Sequence, residues 1–529
     1  MLTGAVPWPA EFAERYRRAG YWTGETLADL LREPARTAGD RPAVVTLRQR
    51  VSYAELDAWA DELCGGLWRL GLRAGDRVVV QLPNGPDFLA LLVALFRLGA
   101  VPVLALPAHR LAEIGYLCAH TGATALVIPD VLARFDHREL AREVSATVPE
   151  LRHVLVAGAP GEFTALAQVR AEPVDLPGPD PDEVALLLLS GGTTGRPKLI
   201  PRTHNDYAYQ LRTTAAEMGF DASGAYLAAL PAAHNAALGC PGVLGALRVG
   251  APAVLAASPS PDEVFPLIAR EGVTLTTLMP AFLPLWMETA PIFQADLSKL
   301  TVEVGGAALD PRLAARAEEA LGCTLTRWFG MAEGLLSFTR PDEPAQFRHT
   351  TEGRPMSADD ELRAVGEDGR DVPAGEVGEL LVRGPYTLRG YYRAEEHNRT
   401  AFTSDGFYRT GDLVRLLPDG AMVVEGRIKD VVNRGGEKVS AVEVEEHLRA
   451  HPKVADVAVV AVPDPGLGER SCAFVVATDG EPALSELRGF LTERGLAGYK
   501  LPDALILVED FPYTPVGKVD KAALRASHE

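Results

Sequence analysis

Along the first 180 positions the apolar residues change period repeatedly. DRVVVQLPNG (76–85) sets three valines between charged and turn-forming residues, which predicts a strand running into a turn. DFLALLVALFRLG (87–99) predicts a helix, and ATALVIPD (123–130) a further strand. Strand and helix patterns taking turns in this way predict an α/β fold with largely parallel strands. The most apolar window, FLALLVALFRLGAVPVLALP (88–107), contains Arg97, Gly99, Pro102 and Pro107. Those residues predict a buried helix, a turn and a strand, not a membrane span.

AEPVDLPGPDPDE (171–183) is rich in Pro and Asp and reads as a surface linker. A second α/β stretch follows, with strand-like AYLAALP (225–231), APAVLAA (251–257) and TLTTLMP (274–280) and helix-like SPDEVFPLIAREG (260–272). From about 350 to 428 short strands and turns dominate, as in GEVGELLVRGPY, and predict a β-rich subdomain. After Asp430, helix, strand and turn alternate closely enough for a lid of about 100 residues, an ordinary domain size. The expected organisation is therefore an N-terminal core, 1–428, with subdomains of about 1–183, 184–349 and 350–428. A small α+β lid, 429–529, follows it. No internal repeat is evident.

Composition narrows the function classes. Over 529 residues, 52 basic against 71 acidic side chains leave a net charge of −19. That balance argues against bulk electrostatic binding to nucleic acid or to an anionic membrane. Cys64, Cys118, Cys240, Cys323 and Cys472 are odd in number, far apart and without a CxxC pair. Neither a zinc site nor a disulfide framework is expected, and a reducing cytoplasm fits. MLTGAVPWPAEFAERYRR lacks the long apolar run of a signal peptide.

The first candidate for chemistry is LLLLSGGTTGRPK (186–198). Gly191, Gly192 and Gly195 allow backbone N–H groups to approach an anion; Ser190, Thr193 and Thr194 add hydroxyls and Lys198 a cation. The spacing is neither a Walker A motif nor GxGxxG. On local chemistry alone, a phosphate cradle and a flexible turn are equally compatible with it. The run resembles the phosphate loop of adenylate-forming enzymes, the superfamily of acyl-CoA synthetases, nonribosomal peptide adenylation domains and firefly luciferase. FGMAEG (329–334), YRTGD (408–412), GRIKDVVNRGGEKVS (426–440) and TPVGKVDK (514–521) resemble four further motifs of that superfamily, in its order. Taken singly, Glu333 fits an exposed helix carboxylate, Asp412 a turn cap and Lys518 a solvated tail lysine. The shared order removes that freedom.

The resemblance implies attack of a carboxylate on the α-phosphate of ATP, giving an acyl-AMP and pyrophosphate, with Mg²⁺ as the metal. It implies that residues 190–198 hold phosphates and that Glu333 is the carboxylate associated with Mg²⁺. Asp412 would accept from both ribose hydroxyls, and Arg427 would contact ribose or phosphate. Gly305, Gly306 and Ala307 would face adenine, with Phe329 stacking nearby and Gly330 and Met331 beside it. Lys518 would bridge the reacting carboxylate and the α-phosphate. Lys429 would be the hinge about which the mobile lid turns, withdrawing Lys518 and bringing Gly435, Gly436 and Lys438 toward the acyl-AMP for attack by a phosphopantetheine thiol.

LAALPAAHNAALGCPGVLG (227–245) carries the acid-pocket signal. Asn235 stands where the amino-acid-activating branch commonly has an Asp that meets the substrate ammonium. A neutral side chain there favours an acid without an amine. The N-terminal WPAEFAERYRRAGYWTGETL, PRTHNDY and the His234-Asn235-x₄-Cys240-Pro-Gly pattern resemble the stand-alone aryl acid ligases of siderophore pathways. His234, Ala236, Gly306, Gly330 and Leu336 complete the implied pocket. In that subfamily Cys at position 240 tends to accompany salicylate and Ser 2,3-dihydroxybenzoate; as ordinary core filler, Cys240 would carry no such meaning. Ala236 departs from the subfamily's bulky aromatic and enlarges or reshapes the pocket. The expectation is activation of salicylate or a substituted salicylate. A 2,3-dihydroxybenzoate-AMP ligase, an aryl-CoA ligase and a non-catalytic nucleotide-binding protein are the alternatives. No carrier domain follows Lys521, so a phosphopantetheinylated aryl carrier is expected in trans.

Overall fold

The computed structural model describes residues 2–528 apart from 191–196, 307–308, 367, 428–430, 479, 513–518 and 520. Its architecture follows from two sheets that share one helical layer. The first sheet runs, edge to edge, Lys198–Thr203, Val184–Ser190, Val101–Leu104, Arg77–Val80, Ala125–Pro129, His153–Ala157, Thr164–Ala165. All neighbours are parallel except the Val184–Ser190 and Lys198–Thr203 pair. The second sheet is parallel from Pro42–Val45 through Ala253–Leu255, Tyr226–Ala228, Leu275–Leu278 and Thr301–Gly305 to Thr324–Met331, with antiparallel strands at both edges.

The period-two alternation of each strand assigns its two faces to different cores. Val78 and Val80 join the core shared with the second sheet, whereas Val79 joins the far face. Tyr226 and Ala228 point into the shared core and Leu227 into the opposite one. The helix Pro86–Leu98 lies in the shared layer and is buried on every side. Gly85 caps its start and Gly99, at φ +70°, ends it, so the chain can turn at once into the strand Val101–Leu104. The apolar window of the sequence is thus a helix, turn and strand, and among the described residues no helix is long and apolar enough to cross a membrane.

The expected break between residues 183 and 184 does not coincide with a sheet boundary. The strands Val184–Ser190 and Lys198–Thr203 belong to the first sheet, beside Val101–Leu104, and the early strands Pro42–Val45 and Arg50–Ser52 cross into the second. Strand partners are chosen by nonlocal pairing, which a linear reading of periodicity does not reach. The β-rich segment forms an antiparallel sheet of Glu361–Val365, Val377–Arg383, Tyr408–Leu416 and Met422–Arg427, packed on the shared core. The chain beyond it has its own hydrophobic clusters, drawn from residues 432–524. Its sheet pairs Glu437–Ser440, Val431–Arg434, Gly468–Ala477 and Val454–Asp464 in that order, with Ala504–Val508 beside Gly468–Ala477.

Candidate active site

The site lies at the carboxyl ends of the parallel strands, where α/β sheets ordinarily bind ligands. It is a cleft of about 430 Å³. Its floor begins at the strand Lys198–Thr203, which runs directly into the helix His204–Glu217. Thr203 and Asp206 form a reciprocal capping box at the junction: Thr203 N–H donates to Asp206 Oδ2 at 2.7 Å and Asp206 N–H to Thr203 Oγ1 at 3.2 Å. That fixes the helix start and brings Tyr207 and Gln210, three residues apart, onto one face. The Tyr207 hydroxyl donates to Asn235 Oδ1 at 2.8 Å. The Gln210 amide donates to the Gly239 carbonyl at 2.7 Å and lies 3.6 Å from Cys240 Sγ. Fully buried Arg202 holds the other side, donating to Gln210 Oε1 at 2.9 Å and Asp206 Oδ1 at 2.7 Å.

These bonds decide what the floor offers. With Oδ1 engaged by Tyr207, Asn235 turns its NH₂ toward Cys240 Sγ, 3.7 Å away. The Cys240 thiol donates to the Asn235 backbone carbonyl at 3.5 Å, and burial, with Glu303 adding, holds its pKa far above the usual thiol value. Cys240 is therefore a neutral thiol with its proton committed to the backbone. Glu303, fully buried and bonded by the Thr277 hydroxyl at 3.1 Å, is pushed up to about 8 by burial and is mostly uncharged at neutral pH. His234 caps the short helix Asn235–Gly239 by accepting from Ala236 N–H at Nδ1, 3.3 Å. Burial, with Lys438 adding, pushes it down to about 4, so it is neutral with its proton on Nε2. The lining groups Asn235, Cys240 and His234 are thus neutral and present amide and imidazole donors.

Charged groups line the same cleft. Glu333 is 8% exposed, and its Oε1 accepts from the Tyr391 hydroxyl at 2.8 Å; that hydroxyl also meets the Tyr408 hydroxyl at 2.7 Å. Burial, with Glu333 and Tyr408 adding, raises the Tyr391 pKa well above the usual phenol value, which keeps it a donor. Lys198 Nζ lies 5.5 Å from the centre of the Tyr391 ring. Lys198 pairs with Ser190 across antiparallel strands on either side of residues 191–196. Asp412, buried in the strand Tyr408–Leu416, is held by the Thr410 hydroxyl, which accepts from its N–H at 3.0 Å. Among the described residues no group of three or more His, Cys, Asp or Glu side chains is arranged to hold a metal ion. A single carboxylate such as Glu333 nevertheless suits a hard cation that keeps water and phosphate oxygens among its ligands.

A hairpin of the lid closes the cleft. Gly436, at φ +92°, sits so tightly on Met279 that a Cβ there would lie 2.6 Å from its sulfur. Asn433 Nδ2 donates to the Gly306 carbonyl at 2.7 Å. Gly306 itself is at φ +78°, at the end of the strand Thr301–Gly305.

Of the residues singled out in the sequence, the cleft brings together Ser190, Lys198, His234, Asn235, Ala236, Cys240, Gly306, Gly330, Met331, Glu333, Leu336, Asp412, Gly436 and Lys438. Gly305 and Gly435 flank it, while Phe329 is half-buried against the main core between the lining residues Trp328 and Gly330. Trp328, Gly330 and Met331 of this strand line the cleft. Gly191, Gly192, Thr193, Thr194, Gly195, Ala307, Lys429 and Lys518 lie outside the described residues. Arg427 ends a described strand, opposite Asp412. Tyr207, Gln210, Tyr391 and Met279 were missed. PRTHNDY contains Tyr207, but nothing in the linear pattern says that its hydroxyl reaches residue 235.

Comparison with known proteins agrees with this geometry. Residues 31–392 match the family model described as AMP-binding enzyme, and residues 443–518 match the AMP-binding enzyme C-terminal domain. The chain is 56% identical to triostin synthetase I of Streptomyces triostinicus, over 99% of both chains. It is 54% identical to the 2,3-dihydroxybenzoate-AMP ligase of Bacillus subtilis (99% of this chain, 98% of that one). It is 49% identical to the salicyl-AMP ligase / salicyl-S-ArCP synthetase of Mycobacterium tuberculosis (99% and 94%). Among solved structures, Mycobacterium smegmatis MbtA in its apo form superposes with a TM-score of 0.78 at 49% identity, covering 99% of both chains.

Proposed function

The chain belongs to the AMP-binding enzyme family as an aryl acid–AMP ligase, and from that premise we propose that its acid is salicylate or a substituted salicylate, passed on as a thioester. The observation that carries the reading is a pair of neutral lining groups: Asn235, oriented by Tyr207, beside a Cys240 thiol whose proton is already used. A substrate ammonium would find no ionised carboxylate there. An ortho-hydroxyl oxygen would accept from the Asn235 amide. A 3-hydroxyl would meet only a sulfur, a weak hydrogen-bond partner. Ala236 leaves room for a ring substituent.

In the first half-reaction the aryl carboxylate attacks the α-phosphorus of ATP, the bond to the β-phosphate oxygen breaks, and pyrophosphate leaves. Lys518 would lie between the two anionic reactants, residues 190–198 would hold the departing phosphates, and Asp412 would accept from the ribose hydroxyls. Glu333, kept in place by Tyr391, would hold a magnesium ion that, when bound, draws charge from the phosphates. In the second half-reaction a thiol attacks the aryl-AMP carbonyl and AMP leaves. A phosphopantetheinylated aryl carrier is the proposed acceptor, in a siderophore or other nonribosomal peptide pathway. The name salicyl-S-ArCP synthetase borne by one relative supports it.

Acid-dependent ATP–pyrophosphate exchange over benzoate, salicylate, ring-substituted salicylates, 2,3-dihydroxybenzoate, anthranilate and amino acids tests the reading. The highest kcat/KM is expected with a salicylate; a clear preference for 2,3-dihydroxybenzoate or an amino acid overturns it. Thioester formation with CoA and with the loaded carrier, compared side by side, decides the acceptor. Two substitutions probe the floor. Cys240→Ser is expected to raise the 2,3-dihydroxybenzoate-to-salicylate ratio of kcat/KM about five- to tenfold, the equivalent of one neutral hydrogen bond. An unmoved ratio removes Cys240 from the specificity argument. Tyr207→Phe leaves Asn235 Oδ1 without its partner and frees the amide to turn. Salicylate kcat/KM should fall about tenfold, while benzoate, lacking the hydroxyl, should change little.

A further inference from the structure

Among the residues that line the cleft, the lid and the core share a buried ion cluster. Lys500 Nζ donates to Glu113 Oε1 of the core and to Glu443 Oε1 of the lid, both at 2.9 Å. The side chains of Lys500, Glu113 and Glu443 are 6%, 1% and 10% exposed. Each glutamate is also tied to its own element. Glu113 Oε2 accepts from Arg110 N–H at 2.8 Å, in the capping box of the helix Leu111–Thr121. Glu443 stands in the first turn of the helix Ala441–Leu448, where its N–H donates to the Ser440 hydroxyl at 3.3 Å.

The placement matters more than the charge. Ser440 is the last residue of the hairpin strand Glu437–Ser440, so the cluster grips the hairpin at its base. At the other end of the same hairpin, Gly436 rests on Met279 and Asn433 holds the Gly306 carbonyl. The hairpin is thus pinned to the core at both ends, and its base is pinned by charge. Charges desolvated in this way are strongly directional: their partners must meet in one geometry or be rehydrated. Turning the lid away would part Lys500 from Glu113 but leave it with Glu443, because those two travel together.

We infer that the Glu113–Lys500 pair is a latch: Lys500 is a positioning residue that sets the lid in the hairpin-inward orientation used for thioester formation, and the pair must open in every cycle for adenylation. The inference rests on the two-step reading above. The latch favours one half-reaction at the expense of the other, so cutting it changes their ratio. A merely structural ion pair would lower both together.

The test compares Glu113→Gln, which cuts the bond across the interface, with Glu443→Gln, which removes an equal charge from Lys500 within the lid. Adenylation is followed by ATP–pyrophosphate exchange and transfer by single-turnover thioester formation from supplied aryl-AMP. Glu113→Gln is expected to lower transfer about tenfold while exchange holds or rises; Glu443→Gln should change the ratio less than about threefold. Spin labels at Ser145→Cys in the core and Ser485→Cys in the lid, both exposed positions, report orientation without relying on activity. Glu113→Gln should deplete the distance that dominates the unliganded parent. Equal losses in both half-reactions, or an unchanged distance distribution, overturn the latch. Absence of acid-dependent exchange in the parent enzyme would overturn the proposed activity alone, the label distances still deciding the latch.

Discussion

Lys518→Ala is expected to lower aryl-AMP formation by about 10²–10³-fold and to leave transfer from supplied aryl-AMP within about threefold of the parent. The argument is electrostatic. A carboxylate and a triphosphate repel each other, and the transition state draws them together at one phosphorus. A cation positioned before the reaction stabilises that charge without reorganising at the moment of attack; losing one such donor typically costs about 2.7–4 kcal/mol. Attack of a thiol on aryl-AMP brings no second phosphate anion to the centre, so it does not need the same cation. Exchange and single-turnover transfer, measured on one preparation, separate the steps. Equal damage to both would mean that Lys518 supports the lid and not the chemistry.

The second large effect is expected at Gly436, and in the opposite half-reaction. Gly436→Val should lower transfer about 100-fold or more and change ATP–pyrophosphate exchange less than about threefold. Two independent penalties meet there. At φ +92° a β-branched residue is strained, and its Cβ would lie 2.6 Å from Met279 Sδ and 3.0 Å from Cγ and Cε. Left-handed backbone costs about 1–2 kcal/mol and overpacking about 1–3 kcal/mol. The overpacking alone reaches the order a 100-fold loss requires, and it is confined to transfer because the contact with Met279 exists only while the hairpin faces inward; the backbone strain falls on the hairpin in either orientation. Gly436→Ala, without the branch, should fall between the two. A variant that loses both half-reactions equally would show that the hairpin is needed for the fold of the lid and not for its seating.

The two positions differ in what marks them in the chain. Lys518 was found through its motif, without any knowledge of its surroundings. Gly436 was marked by its motif too, but the reason it must be glycine came from Met279, on another domain. The same division runs through the acid floor. Asn235 and Cys240 stand five residues apart and were legible together. Tyr207 and Gln210, which orient them, come from a helix some thirty residues earlier. Phe329 shows the same division: its motif was legible, but its half-buried place between the lining residues Trp328 and Gly330 was not.

By itself the sequence determined the alternating α/β character, the buried helix before Gly99, the separate lid and the aryl acid ligase class. Each of these is written in local periodicity or in short contiguous motifs, and local chemistry is what a linear chain records. Tertiary structure alone decided that the strands 184–203 join the first sheet and 42–52 the second. It alone gave Asn235 its orientation, raised the Glu303 pKa by burial and set Glu113 against Lys500 across 387 positions. Those outcomes depend on which groups meet after water is excluded, and a lysine or glutamate in the sequence carries no mark of the partner that burial will assign to it.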